Sequence, residues 1–309
     1  MAKVIFFVHG RSFKPPKAKL KKLWLDAVEA GLDRDYPPSR LAAFKRVKKA
    51  FVYYGEISNR FLKKALKKPP NFKTDDSASR RITLNNLKIY AANQFTKARY
   101  NKLPGKSAAG EALADLFGGV AAFFHVSDPF IEAIAPDMHE YWNFDSQFGS
   151  DVRETLSTPL ARALGNRHKV LLLSHSLGTM IAYDTLWKFS YYSEYRDIRD
   201  KKVDLLVTLG SPLGDETVKR NLKGAKASGS RRYPSNIRRW VNVAAEDDYI
   251  AHDEKVRNDY KAMLKRGLVQ SIEDHRIYNL AVRDGKSNPH HGAGYLIHPK
   301  VTELIANWI

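Results

Sequence analysis

The residues best placed to do chemistry lie in Val170-Leu171-Leu172-Leu173-Ser174-His175-Ser176-Leu177-Gly178-Thr179-Met180. An apolar run suited to a buried strand enters small-His-Ser-Leu-Gly, and a helix-forming stretch follows at once. A serine on so tight a strand-to-helix turn sits on strained backbone, and its neighbours two before and two after must be small. Ser174 and Gly178 meet that demand. The turn aims the Leu177 backbone N–H and the positive end of the helix at the space above Ser176. A hydroxyl held there becomes a nucleophile once a base takes its proton, so the chemistry implied is attack on a carbonyl.

With these residues the chain resembles the α/β-hydrolase superfamily, in its lipase and esterase branch, with Ser174 replacing the usual first glycine of the nucleophile elbow. Val8-His9-Gly10-Arg11 ends the first apolar run and resembles the superfamily's His-Gly oxyanion loop. The resemblance implies that the backbone N–H groups of Arg11 and Leu177 stabilise a tetrahedral oxyanion, where loss of one donor typically costs ~10²–10³ in rate. Leu206–Leu213 contains Gly210-Ser211-Pro212, similar to a turn that borders the pocket in lipase-like members, and is read as architecture. His9, Gly10, His175 and Ser211 are the expected pocket residues.

The superfamily order is serine, then acid, then histidine. Trp240 to Ala244 reads as a strand ending in Glu246-Asp247-Asp248-Tyr249-Ile250, and the family pattern selects Asp248. Asp247 is the alternative, with Glu246 and Asp215 behind it; acidic residues at strand ends also commonly cap the next helix. For the base, Asn288-Pro289-His290-His291-Gly292-Ala293-Gly294-Tyr295 resembles the family's His-then-Tyr loop before the final helix. His291 is the first choice and His290 the second. His125, His139, His168 and His252 are read as structural or surface groups. The chain has no cysteine, and no carboxylate stands at ligand spacing from the paired histidines, so neither a metal nor another cofactor is expected.

These residues need a scaffold, and the expected fold is α/β: a mostly parallel central sheet flanked by helices, with a helical cap or lid insertion. Val4–Val8, Ala50–Tyr54, Lys169–Leu173, Val203–Leu209, Trp240–Ala244 and His275–Ala281 read as strands, alternating with helices. A helix is expected to open at Pro15-Pro16, bury Leu20, Leu23, Trp24, Ala27 and Val28, and stop at Gly31. Tyr141–Leu164 and Val301–Trp308 read as further helices. Residues 57–135 show no buried strand and include the apolar run Ala108–Phe124, so they are read as the cap. Residues 1–56 and 136–309 form the expected catalytic domain.

Composition sets the outer bounds. The 309 residues are 43% hydrophobic and 28% charged, which is a globular composition and excludes wholesale disorder. No apolar run approaches the ~18–20 residues of a membrane-crossing helix. The start shows neither the apolar core nor the cleavage site of a signal peptide, so a cytoplasmic location is expected. The net charge is +19, and all of it falls in residues 1–106, which hold 26 Lys+Arg against 7 Asp+Glu. That excess is either a solvated, solubilising surface or a patch that meets an anionic surface or substrate.

The expected activity is hydrolysis of a small-molecule or lipid carboxylic ester through Ser176, His291 and Asp248, with peripheral membrane association a further expectation. Thioester or amide cleavage and acyl transfer use the same three groups. A hydrolase-fold binding or scaffold protein with a basic N-terminal face is the rival of a different class. No recognised nucleic-acid motif occurs in residues 1–106, which disfavours nucleic acid as the partner.

Overall fold

The computed structural model describes residues 1–105, 135–251 and 255–309. Six strands form one parallel sheet: β1 (Lys3–Val8), β2 (Lys48–Val52), β3 (Lys169–His175), β4 (Val203–Leu209), β5 (Ile237–Ala245) and β6 (Ser271–Ile277). Their spatial order is β2-β1-β3-β4-β5-β6. The chain therefore steps from β1 to β2 on one side, then returns to lay β3 on the other side. That reversal opens a crevice at the carboxyl ends of β1 and β3, where open α/β sheets bind their ligands.

Alternation along the strands builds two cores. Val4, Phe6, Val170, Leu172, Leu206 and Trp240 are buried on one face, against α7 (Gln147–Gly165) and α8 (Leu177–Tyr191). Ile5, Phe7, Leu171, Leu173, Val207 and Val241 are buried on the other, against α1 (Lys17–Asp35) and two C-terminal helices, Gly292–Leu296 and Pro299–Trp308. Strands covered on both faces read as unbroken apolar runs, which is why β1 and β3 are visible in the sequence.

Between β1 and β3 lie α2 (Pro38–Arg46), α3 (Gly55–Ala65), α4 (Ser77–Leu87), α5 (Lys97–Tyr100) and α6 (Pro136–Trp142). α4 buries Leu84 and Leu87 in the same core layer as α1 and runs beside the small hairpin β7 (Val282–Arg283) and β8 (Lys286–Ser287). The segment Ala108–Phe124, expected to belong to the cap, lies outside the described residues, as do His125 and His252. Among the described residues no helix is long and apolar enough to cross a membrane.

Three local expectations change. α1 does not stop at Gly31 but continues to Asp35; a β-carbon on Gly31 would collide with Thr302 Cγ2, so this glycine serves close helix packing. The Tyr141–Leu164 helix is two helices, broken where Ser146 caps α7 by accepting from the Phe148 N–H at 3.1 Å. β6 spans Ser271–Ile277, beginning and ending four residues before the expected His275–Ala281 strand. As an edge strand covered only in part on each face, with Ile272 buried on one and Ile277 on the other, it carries Glu273, Asp274 and His275, which mask its pattern.

Candidate active site

Ser176 stands between β3 and α8 with φ 56° and ψ −129°, a left-handed conformation costly for any residue bearing a Cβ. The surroundings hold it there. Its N–H donates to Leu209 O at 3.0 Å, and its own carbonyl accepts from Thr179 N–H at 2.9 Å and Thr179 Oγ1 at 2.7 Å. Gly178 is required by β1, because a Cβ there would meet His9 O at 2.5 Å and Val8 O at 2.7 Å. Gly10 is required by the serine itself: its Cβ would stand 2.7 Å from Ser176 Cβ. The His9-Gly10-Arg11 loop thus lies directly against the serine, across the reversal between β1 and β3.

The loop is fixed by its own bonds. Arg11 donates through Nε at 3.0 Å and Nη2 at 2.6 Å to Asp137 Oδ1, and the Ser12 N–H donates to Asp137 Oδ2 at 3.1 Å. His9 accepts the Tyr54 N–H at Nε2 (3.3 Å) and therefore donates from Nδ1 to Gly10 O (2.8 Å). Burial lowers its pKa to about 3, with the Lys14 charge adding to the effect, so the ring stays neutral and structural.

The imidazole set against an acid is His290. Its Nδ1 lies 2.9 Å from both Asp248 oxygens, and Asp248 is further held by the Tyr295 hydroxyl at 2.5 Å and the Ile250 N–H at 3.1 Å. Gly210, at φ +53°, makes room for the pair: a Cβ there would stand 2.9 Å from Asp248 Oδ2 and 3.1 Å from His290 Nδ1. With Nδ1 committed to the carboxylate, Nε2 is the ring nitrogen that can serve a substrate or nucleophile.

His291, the first choice from sequence, is not at the acid. It precedes the helix Gly292–Leu296, with its carbonyl accepting from Asn279 Nδ2 at 3.1 Å and the Gly294 N–H at 3.0 Å. Its ring lines the cavity instead, and neither ring nitrogen has a hydrogen-bond partner among the described residues. Burial, with the Arg80 and Arg283 charges, holds its pKa well below the usual value.

The remaining candidates separate clearly. Asp247 adopts φ 57° and accepts from the Tyr100 hydroxyl at 3.1 Å, away from His290. Glu246 pairs with Arg276. Asp215 caps the helix Glu216–Asn221 by accepting the Val218 N–H at 2.9 Å. His175 donates Nε2–H to His290 O at 3.0 Å and lies 4.6 Å from that ring, so it positions the His290 loop; burial keeps its pKa well below normal. Ser211 bonds Thr179 Oγ1 at 2.9 Å and lies outside the cavity wall.

A cavity of about 230 Å³ opens above these groups, with Ser176, His290, His291, His175 and the 9–14 loop in its wall. Trp24 and Leu20 give it an apolar side. Sequence reasoning missed three features here: Tyr295 as a donor to the acid, Gly210 as its clearance, and a basic side made by Lys14, Arg80 and Arg283. The arrangement supplies a serine on strained backbone and an imidazole oriented by a buried carboxylate, both in one cavity wall. No protein-family model matches the chain, and no curated protein matches it.

Proposed function

We propose that the chain is a serine hydrolase of the α/β-hydrolase type that cleaves carboxylic esters. The observation that carries the reading is the strained Ser176 in one cavity wall with the His290 imidazole, which Asp248 holds by Nδ1. The parallel sheet order is compatible with that fold. On this reading Ser176 Oγ attacks the ester carbonyl as His290 Nε2 takes its proton, while Asp248 steadies the imidazolium. The Leu177 and Arg11 N–H groups receive the oxyanion, the alcohol leaves with the proton from His290, and water activated by the same ring releases the acid. The described part of the insertion after β2 contributes Asp76 and Arg80 to the pocket wall, which supports its reading as a cap.

Labelling with a fluorophosphonate probe tests the reading. The native protein is expected to label at Ser176 and to turn over 4-nitrophenyl esters, and Ser176→Ala to do neither. A native protein that does not label would return the chain to the binding-protein class.

A further inference from the structure

The charged wall of the cavity asks for a ligand of its own. Beside Ser176 and His290 it carries Arg11, Lys14, Arg80 and Arg283 against one carboxylate, Asp76. That carboxylate is shared: Arg80 Nε donates to Asp76 Oδ1 at 2.7 Å, and Arg283 Nη2 to Oδ2 at 2.8 Å. Arg283 also reaches Asp284, 3.5 Å away and exposed outside the wall, so inside the cavity two guanidiniums share the single lining carboxylate, and Arg11 pairs with Asp137 behind it. Each guanidinium has more donors than those bonds use. In the wall, Arg11 Nη1, Asn288 Oδ1 and both ring nitrogens of His291 also lack partners among the described residues. Arg11 is 8% and His291 6% exposed, and both line the cavity. Buried polar groups are normally satisfied, so Arg11 Nη1 and the one N–H of neutral His291, beside the guanidiniums, point to a ligand that supplies acceptors.

We infer that this wall is a subsite for a negatively charged group on the substrate, a carboxylate or a phosphate, held by Arg80, Arg283 and His291 while the ester carbonyl lies at Ser176. The inference rests on the serine-hydrolase reading and names its substrate class: an ester whose acyl or alcohol part also carries an anion. Arg80 and Arg283 lend their spare N–H groups as charge-assisted donors, and neutral His291 lends one more. The apolar side at Trp24 and Leu20 accommodates the hydrocarbon between anion and carbonyl.

The test compares mono-4-nitrophenyl glutarate with 4-nitrophenyl pentanoate, which differ by the terminal carboxylate. The native protein is expected to favour the glutarate ester at least 10-fold in kcat/KM. Arg80→Gln or Arg283→Gln is expected to lower that ratio about 10–100-fold, the loss typical of a hydrogen bond to a charged group. Equal use of the two esters by native protein, or a ratio unmoved in both variants, overturns the inference. A 4-nitrophenyl ester bearing a terminal phosphate distinguishes the anions by which of the two charged esters gains more. If neither ester is cleaved and the fluorophosphonate does not label, the hydrolase reading fails separately. The subsite is then read by calorimetry of glutarate and inorganic phosphate on native protein and Arg80→Gln. Binding by native protein that the variant weakens supports it, and no binding of either anion overturns it.

Discussion

Gly10 and Ser176 are in backbone-to-side-chain contact across two strands, so that a β-carbon added to Gly10 would lie only 2.7 Å from Ser176 Cβ and 3.2 Å from Ser176 Oγ. Real β-carbons do not come that near, so any side chain here must displace the loop or the serine. Gly10→Ala is therefore expected to slow fluorophosphonate labelling of Ser176 about 100-fold, as loss of one oxyanion donor does. Overpacking should also lower stability by about 1–3 kcal/mol. Labelling kinetics and thermal melting of the variant check both. A rate within a few-fold of native would show that the loop is not placed by this contact.

The two adjacent histidines make opposite predictions. His290 Nδ1 bonds Asp248, whereas the His291 ring faces the cavity with no partner among the described residues. His290→Ala is expected to reduce ester turnover by at least about 10³-fold, and Asp248→Asn by about 10²–10⁴-fold through loss of the correct tautomer. Asp247→Asn, at a residue bonded to Tyr100, should stay within a few-fold of native. Steady-state kinetics on one neutral ester separate the three. Loss of turnover in Asp247→Asn equal to that in Asp248→Asn would contradict the observed pairing.

The contrast between these histidines also shows where sequence reading reaches and where it stops. β3 and the Ser176 turn are local: a run of apolar residues, then small ones where backbone crowds. The strand end offered Glu246, Asp247 and Asp248 alike, and only the family pattern selected Asp248, the one that meets His290. Which of His290 and His291 meets it depends on contacts made far away in the chain. His175 bonds the His290 carbonyl, and Asn279 bonds the carbonyls of Pro289 and His291, and together they set the direction of the loop. The basic wall is hidden for the same reason. Asp76 and Arg283 are 207 positions apart and meet only because α4 docks beside β7. In sequence, Thr74 to Arg81 is simply a polar stretch.

Tyr295 carries two bonds on one oxygen. Its hydroxyl donates to Asp248 Oδ2 at 2.5 Å and accepts the Ala245 N–H at 2.9 Å, joining the end of β5 to the acid. Tyr295→Phe leaves that buried N–H without its acceptor and the carboxylate with one fewer donor. A loss of about 1–3 kcal/mol in stability is expected from the unsatisfied donor. Turnover should fall about 3–30-fold through kcat with KM little changed, because His290 lines the cavity and Tyr295 does not. Chemical denaturation and a kcat-against-KM split measure the two effects. A variant that loses affinity and keeps kcat would place Tyr295 in substrate binding instead.

Lys14 makes stability depend on pH in a defined direction. Burial, reinforced by the Arg80 charge, pushes its ammonium down to about 7. Arg11 also repels it, Asp76 and Asp137 attract it, and the buried His9 and His175 facing it are neutral. Its Nζ donates to the Arg11 carbonyl. In the unfolded chain the same group titrates near the ordinary lysine value of 10.5. Between those values the unfolded chain binds more protons, so stability should rise with pH across that window. It falls again as pH drops towards 7, and below 7 both states are protonated and this contribution is flat. Lys14→Met removes the slope, whose limit is about 1.4 kcal/mol per pH unit. Melting curves from pH 6 to 10 are therefore expected to show native protein gaining Tm on Lys14→Met between pH 7 and 10, and parallel curves would refute it. An anion in the basic wall favours the charged lysine, so glutarate should take up a proton on binding near pH 8. The proton uptake should vanish in Lys14→Met, which calorimetry in buffers of different ionisation enthalpy reads directly.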